Sequence, residues 1–114
     1  MKYISTRGGG TPQSFEQVLL TGLAPDGGLY VPVELPSFSQ EQIASWRDLS
    51  YVDLALAVIS PFTGDALQPD ELKRIISESY ADFGHPEVAP LTALRENEYL
   101  LELYHGCLLY TSDA

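Results

Sequence analysis

The sequence has little of what builds covalent or metal-based frameworks. A single cysteine, Cys107, excludes an intrachain disulfide and any cluster of cysteine ligands. The two histidines, His85 and His105, lack the short spacing of a paired zinc ligand, so a metal centre is not expected. Positive charge is scarce as well: 6 Lys and Arg stand against 16 Asp and Glu, for a formal net charge of −10. That balance disfavours nucleic acid, whose phosphates need Lys and Arg, and an anionic membrane surface for the same reason. An anionic small molecule would need a local cation or backbone N–H groups. No apolar run approaches the roughly 20 residues that span a bilayer. The opening Met1-Lys2-Tyr3-Ile4-Ser5-Thr6-Arg7 has no apolar leader core, which sets a cytoplasmic protein as the expectation. Repeats and low-complexity segments are absent too.

What is present is globular in composition. Hydrophobic residues make up 45% and charged residues 19% of 114 residues. A chain of this size suits one small domain, burying roughly 60–70% of its unfolded surface.

Lys2 to Ser5 reads as an opening strand. Ser14 and Gln17 have capping-box spacing, and Phe15, Val18 and Leu19 follow at helical spacing, which predicts a helix over 15–21. Ser39 and Gln42 repeat the device, with Phe38 and Ile43 at staple positions and Ile43 and Trp46 facing the core. Ser50 starts a third helix with Leu49 set against Leu54. Tyr51 to Ile59 is apolar almost all round apart from Asp53, so this helix is expected to be the most buried, with Leu54 inside. Ser60-Pro61 should end it. Pro69 fits the first turn of a fourth helix, with Asp70 and Glu71 near its positive end and Leu72, Ile75, Ile76 and Ser79 on one face. Gly84 is a stop, and Pro86 and Pro90 mark a connector. Leu91–Leu94 and Tyr99–Tyr104 then read as a hairpin around Arg95-Glu96-Asn97-Glu98.

The densest conformational specification lies in Thr21-Gly22-Leu23-Ala24-Pro25-Asp26-Gly27-Gly28-Leu29-Tyr30-Val31-Pro32. Gly22 can close a helix at positive φ, Pro25-Asp26-Gly27 is turn chemistry, and Leu29-Tyr30-Val31 is a short strand. At least one of Gly27 and Gly28 is expected at positive φ. Asp26-Gly27-Gly28 can also approach a ligand closely, although the turn alone accounts for it. Gly8-Gly9-Gly10 lacks the Gly-Lys-Ser/Thr ending of a phosphate loop and reads as a flexible turn, in an enzyme a candidate mobile loop. Arg7 can attract a phosphate, with pairing to surface carboxylates as the plainer account. Asp53 can be a carboxylate catalyst, but its place in the first turn explains it as a helix-start partner. His85 is expected to face solvent, and Cys107 has no activating base nearby.

With Tyr3-Ile4-Ser5-Thr6-Arg7-Gly8 and Leu101-Glu102-Leu103-Tyr104-His105-Gly106, the glycine-rich segment resembles the start of the threonine synthases over roughly Met1 to Gly106. The resemblance implies an α+β fold: a small N-terminal domain of helices and short strands with a terminal β-hairpin, from a fold-type II pyridoxal-phosphate enzyme. That family is a lyase of threonine biosynthesis, converting O-phosphohomoserine and water to threonine and phosphate. His105-Gly106 would adjoin the cofactor loop, where the family continues Pro-Thr-x-x-Phe-Lys-Asp and the lysine carries the cofactor. Without a gap that lysine falls at Ser112, which cannot form a Schiff base. Asp113 matches and Leu109 is compatible, while Cys107, Leu108, Tyr110 and Thr111 depart.

The implied organisation is a domain over 1–84, a connector and hairpin over 85–106 leading into a cofactor domain beyond this chain, and a tail over 107–114 read as non-native sequence, with the diverged tail of a true short paralogue as the rival account. The chain is then an N-terminal piece, inactive alone, with no catalytic, cofactor-binding or metal-binding residue and no bound pyridoxal phosphate. Some apolar surface at the hairpin should stay exposed. A non-enzymatic interaction module reusing the same domain is the alternative, and a stand-alone small-molecule binder ranks third. The continuation of the reading frame separates them.

Overall fold

A computed structural model describes residues 1–106, as two small antiparallel sheets flanking four helices. The tail over 107–114, with Cys107, Ser112 and Asp113, lies outside the described residues. Strand β1 (Lys2–Ser5) is central in the first sheet, between β2 (Gln13–Ser14) and β3 (Tyr30–Pro32). Its register pairs Tyr3 with Pro32, Ile4 with Val31 and Ser5 with Tyr30. The period of two sends Tyr3 and Ser5 inward and leaves Lys2 and Ile4 facing out.

The helix starts are local chemistry. In α1 (Phe15–Thr21), Gln17 N–H donates to Ser14 Oγ at 3.3 Å and Ser14 N–H donates to Gln17 Oε1 at 2.9 Å. Gly22, at φ 74°, closes the helix. Helix α2 (Gln40–Ser45) repeats both bonds through Ser39 and Gln42. Its predicted inner face is not buried. Ile43 is 56% exposed, and Trp46 is only half-buried, edge-on to Phe38 with ring centroids 4.9 Å apart. A six-residue helix between loops gains nothing to pack against beyond its own staple.

Helix α3 (Tyr51–Thr63) runs through Pro61, two turns of sequence logic notwithstanding. A helix-interior proline removes one intrahelical donor and crowds the carbonyl four residues back. Here a tertiary bond reaches the last turn, Tyr3 Oη donating to the Phe62 carbonyl at 2.6 Å, and Gly64 N–H caps the Ser60 carbonyl locally at 3.1 Å. Helix α4 (Pro69–Ala81) packs on α3 and contributes the buried Leu72 and Ile76, whereas α3 is half-buried along nearly its whole length. Helix α3 is the least exposed helix, with only Tyr51 exposed, as expected, but Leu54 is not inside. Leu54 is half-buried, on an open groove beside Tyr51, Val58 and Tyr80. An all-apolar helix spreads its burial when its neighbours, here mainly α4, leave part of its surface open.

The second sheet is the hairpin of β4 (Leu91–Arg95) and β5 (Glu98–Leu101), turning at Asn97 with φ 58°. Every residue of both strands is exposed, including Leu91 at 65% and Tyr99 at 61%. The apolar surface expected at this hairpin is there. The second strand stops at Leu101, short of the predicted Tyr104, because Tyr104–Gly106 form a 3₁₀ turn.

Candidate functional site

That turn carries the His105-Gly106 pair singled out in the sequence. Glu102, at the exit of β5, organises it. Its backbone N–H donates to the Pro90 carbonyl at 3.0 Å, anchoring it to the start of the hairpin. One carboxylate oxygen accepts from Thr92 Oγ1 at 2.6 Å, and the other meets His105 Nε2 at 2.8 Å. The Glu102 and His105 side chains are each only 16% exposed. The Thr92 hydroxyl first, then His105 and Tyr104, pull the Glu102 carboxyl down to about 2. The same carboxylate pushes the Tyr104 hydroxyl up.

His105 is held from other sides too. Gly84 N–H donates to its carbonyl at 3.0 Å, and its ring lies 5.1 Å from that of His85 and 4.6 Å from that of Tyr104. His85, expected in solvent, is half-buried there, and its Nδ1 accepts from Glu87 N–H at 3.1 Å. Gly106 lies against the Phe83 ring so closely that a Cβ would come within 2.7 Å of it. Phe83 in turn meets Tyr80, and Tyr80 meets Tyr51, edge to face at 5.0 and 5.1 Å. A ladder of rings thus ties the turn to α3 and α4.

The second constellation is the glycine-rich loop, centred on Asp26. Ser5 Oγ and Gly28 N–H donate to Asp26 Oδ1 at 2.7 and 2.9 Å, and Gly9 N–H donates to Oδ2 at 2.9 Å. These bonds, led by Ser5, hold the Asp26 carboxyl below its ordinary range. Gly27 takes φ 79°, as the turn requires. Arg7 does not pair with a carboxylate: its Nη1 donates to the Asp26 backbone carbonyl at 3.0 Å. Gly8-Gly9-Gly10, read as a loose turn, is fastened to Asp26 through Gly9. Both carboxylate oxygens of Asp26 are engaged by the chain itself, which makes this a structural knot.

Asp53 stands apart from both places. It accepts from Ser50 Oγ at 2.7 Å and pairs with Lys73 Nζ at 2.6 Å across α3 and α4, and Lys73 first and Ser50 second depress its carboxyl. This is the helix-start role, extended by an interhelical ion pair. Among the described residues no group of three His, Cys, Asp or Glu can hold a metal, and no helix is long and apolar enough to cross a membrane. Glu102, Thr92 and Ser5 were not singled out from the sequence. The one local signal was the Glu102–His105 spacing, which a single helical turn brings together.

Pyridoxal phosphate, which the resemblance implies, does not fit this portion of chain by itself. The only lysines are Lys2, on the outer β1 face, and Lys73, engaged by Asp53. Neither belongs to the bonded cluster around His105, so no step is routed through the cofactor here.

Carboxylates held low, Asp26, Asp53 and Glu102 among them, set the acid behaviour. A carboxyl depressed in the folded state stabilises it above the unfolded pKa, and this contribution is lost as pH falls through the folded value. For Glu102 the window runs from 4.5 down to about 2. Stability is expected to fall steadily from pH 5 to pH 2, and Glu102→Gln should flatten that fall. Denaturant midpoints measured across this range check it, and an equally steep fall in the variant counts against the bonding described.

The family model described as "Threonine synthase N terminus" matches residues 2–80. Threonine synthase of Pseudomonas aeruginosa is 50% identical over 113 residues, 99% of this chain and 24% of that protein. Threonine synthase of Schizosaccharomyces pombe is 42% identical over 107 residues, 93% of this chain and 21% of that protein. The crystal structure of PLP-bound threonine synthase from Brucella melitensis superposes with a TM-score of 0.85 at 49% identity, covering 93% of this chain and 23% of that one. The chain thus spans about a quarter of the length of the relatives it matches.

Proposed function

The chain belongs to the threonine synthase family, and on that premise we propose that it serves as the N-terminal domain of a pyridoxal-phosphate lyase that converts O-phospho-L-homoserine and water to L-threonine and phosphate in the cytoplasm. The domain over 1–84 is the scaffold. The connector and hairpin over 85–106 lead toward the cofactor-bearing part, which lies beyond this chain. The observation that carries the reading is the family match over 2–80 joined to the exposed hairpin and the anchored His105–Gly106 turn. An apolar two-stranded hairpin is not stable in water alone and needs a covering layer. A longer polypeptide supplies that layer, which favours the enzyme over a free-standing interaction module.

Sequencing the source locus past codon 106 tests this. A Phe-Lys-Asp-type segment and a long α/β region are expected, in frame. An intact, expressed stop after Ala114 would sink the reading. On the 114-residue chain itself, incubation with pyridoxal phosphate and borohydride reduction should give no stoichiometric adduct. Scattered labelling of Lys2 and Lys73 is compatible with this, whereas a single fully labelled lysine with phosphohomoserine turnover is not.

A further inference from the structure

Resting on that reading, we propose that Glu102 is a positioning residue: by bridging Thr92 and His105 it fixes the turn at Tyr104–Gly106 from which the chain proceeds toward the segment expected to hold the cofactor lysine. The geometry is that of a bracket. Thr92 Oγ1 and the Pro90 carbonyl fix Glu102 to the opposite strand, at 2.6 and 3.0 Å. The free carboxylate oxygen then takes the His105 Nε2 at 2.8 Å. A charge-assisted bond of that length between two largely buried side chains orients the imidazole, because the donor must lie along the carboxylate lone pair. The His105 carbonyl is thereby presented to Gly84 N–H, and Gly106 is set against Phe83, where no side chain fits. His85, with its Nδ1 occupied by Glu87 N–H, lies beside the ring at 5.1 Å.

The test uses the 114-residue chain and NMR. In the wild type, the neutral His105 ring should carry its proton on Nε2, and the Gly84 amide should be protected from exchange. Glu102→Gln keeps an oxygen for Thr92 but removes the charge and offers His105 an NH₂ group, which Nε2 can accept only after the ring proton moves to Nδ1. We expect Gly84 exchange to rise at least tenfold, the Nε2–H signature to be lost, and the Gly27 and Val33 amides, bonded in the first sheet and its loop, to accelerate far less. Glu102→Asp, which keeps the charge on a shorter arm, should restore part of the Gly84 protection. His105→Phe keeps a stacked ring without the bond and should behave like Glu102→Gln. Unchanged Gly84 protection in either variant overturns the proposal, as does an equal acceleration at Gly27 and Val33, which would mark general destabilisation. No turnover is involved, so failure here leaves the family reading standing. Conversely, a stop codon at the locus would sink the longer enzyme without moving these amide rates.

Discussion

Leu72→Ala is expected to cost about 2–5 kcal/mol, the range for truncating a buried aliphatic side chain where the surroundings cannot collapse. Leu72 is 5% exposed and Ile76 4%, one turn apart on α4, and both line an apolar cavity together with Phe15 of α1 and Phe62 of α3. Three helices converge on this point, so the lost methyl groups leave a space that several elements would have to move to fill. Small domains have about 5–15 kcal/mol in total, so the variant forfeits a large share of its stability. Leu54→Ala is the control. On sequence alone the same cost falls on Leu54, the staple partner on the most apolar helix. In the structure Leu54 lies on an open groove, and its truncation should cost only about 1 kcal/mol, near the centre of the range for point substitutions. Urea unfolding of both variants decides. Equal costs, or a Leu72→Ala effect below half a kilocalorie, would mean that the core lies elsewhere.

The contrast between Leu54 and Leu72 shows what the sequence could convey. Helix starts were legible because their chemistry closes within four residues. Ser14–Gln17, Ser39–Gln42 and Ser50–Asp53 need no knowledge of the rest of the chain. Positive φ at one of Gly27 and Gly28 was legible for the same reason, and Gly27 takes it. Burial was not, because periodicity says which residues share a face and not which neighbour covers it. Ile43 and Leu54 sit on apolar faces that no other element covers fully. Pro61 misled in a related way: the local cost of a proline in a helix is real, but the Tyr3–Phe62 bond arrives from the far end of the chain. At the candidate site, His105 and Gly106 drew attention through family resemblance. Glu102 did not, since its role needs Thr92 on the opposite strand and the Pro90 carbonyl behind it. Arg7 and His85 were misplaced because each finds a partner that sequence separation hides.

Gly28→Ala is the second substitution with a large expected effect, about 1–3 kcal/mol, the usual cost of forcing extra atoms into a packed site. Its neighbour provides the comparison. Gly27 sits at φ 79° beside the Arg7 guanidinium, so Gly27→Ala meets mainly backbone strain, about 1 kcal/mol. Gly28 is buried, and its difficulty is steric. A Cβ there runs into Ser5 Oγ and lies 3.0 Å from Asp26 Oδ1 and 3.1 Å from Thr6 Oγ1. Ser5 is itself buried at 4% exposure, in the central strand, and cannot swing away without giving up its bond to Asp26. The added methyl group therefore acts on the hydrogen bond at the centre of the knot, and through Asp26 on Gly9. Ser5→Ala removes the obstructing oxygen at the expense of that bond. Combined with Gly28→Ala, it should cost less than the sum of the two single changes, because the clash disappears with the hydroxyl. A double-mutant cycle read by thermal and urea unfolding measures the difference. Strict additivity would show that the Cβ is accommodated by backbone movement, and that Gly28 is not held in place by Ser5 at all.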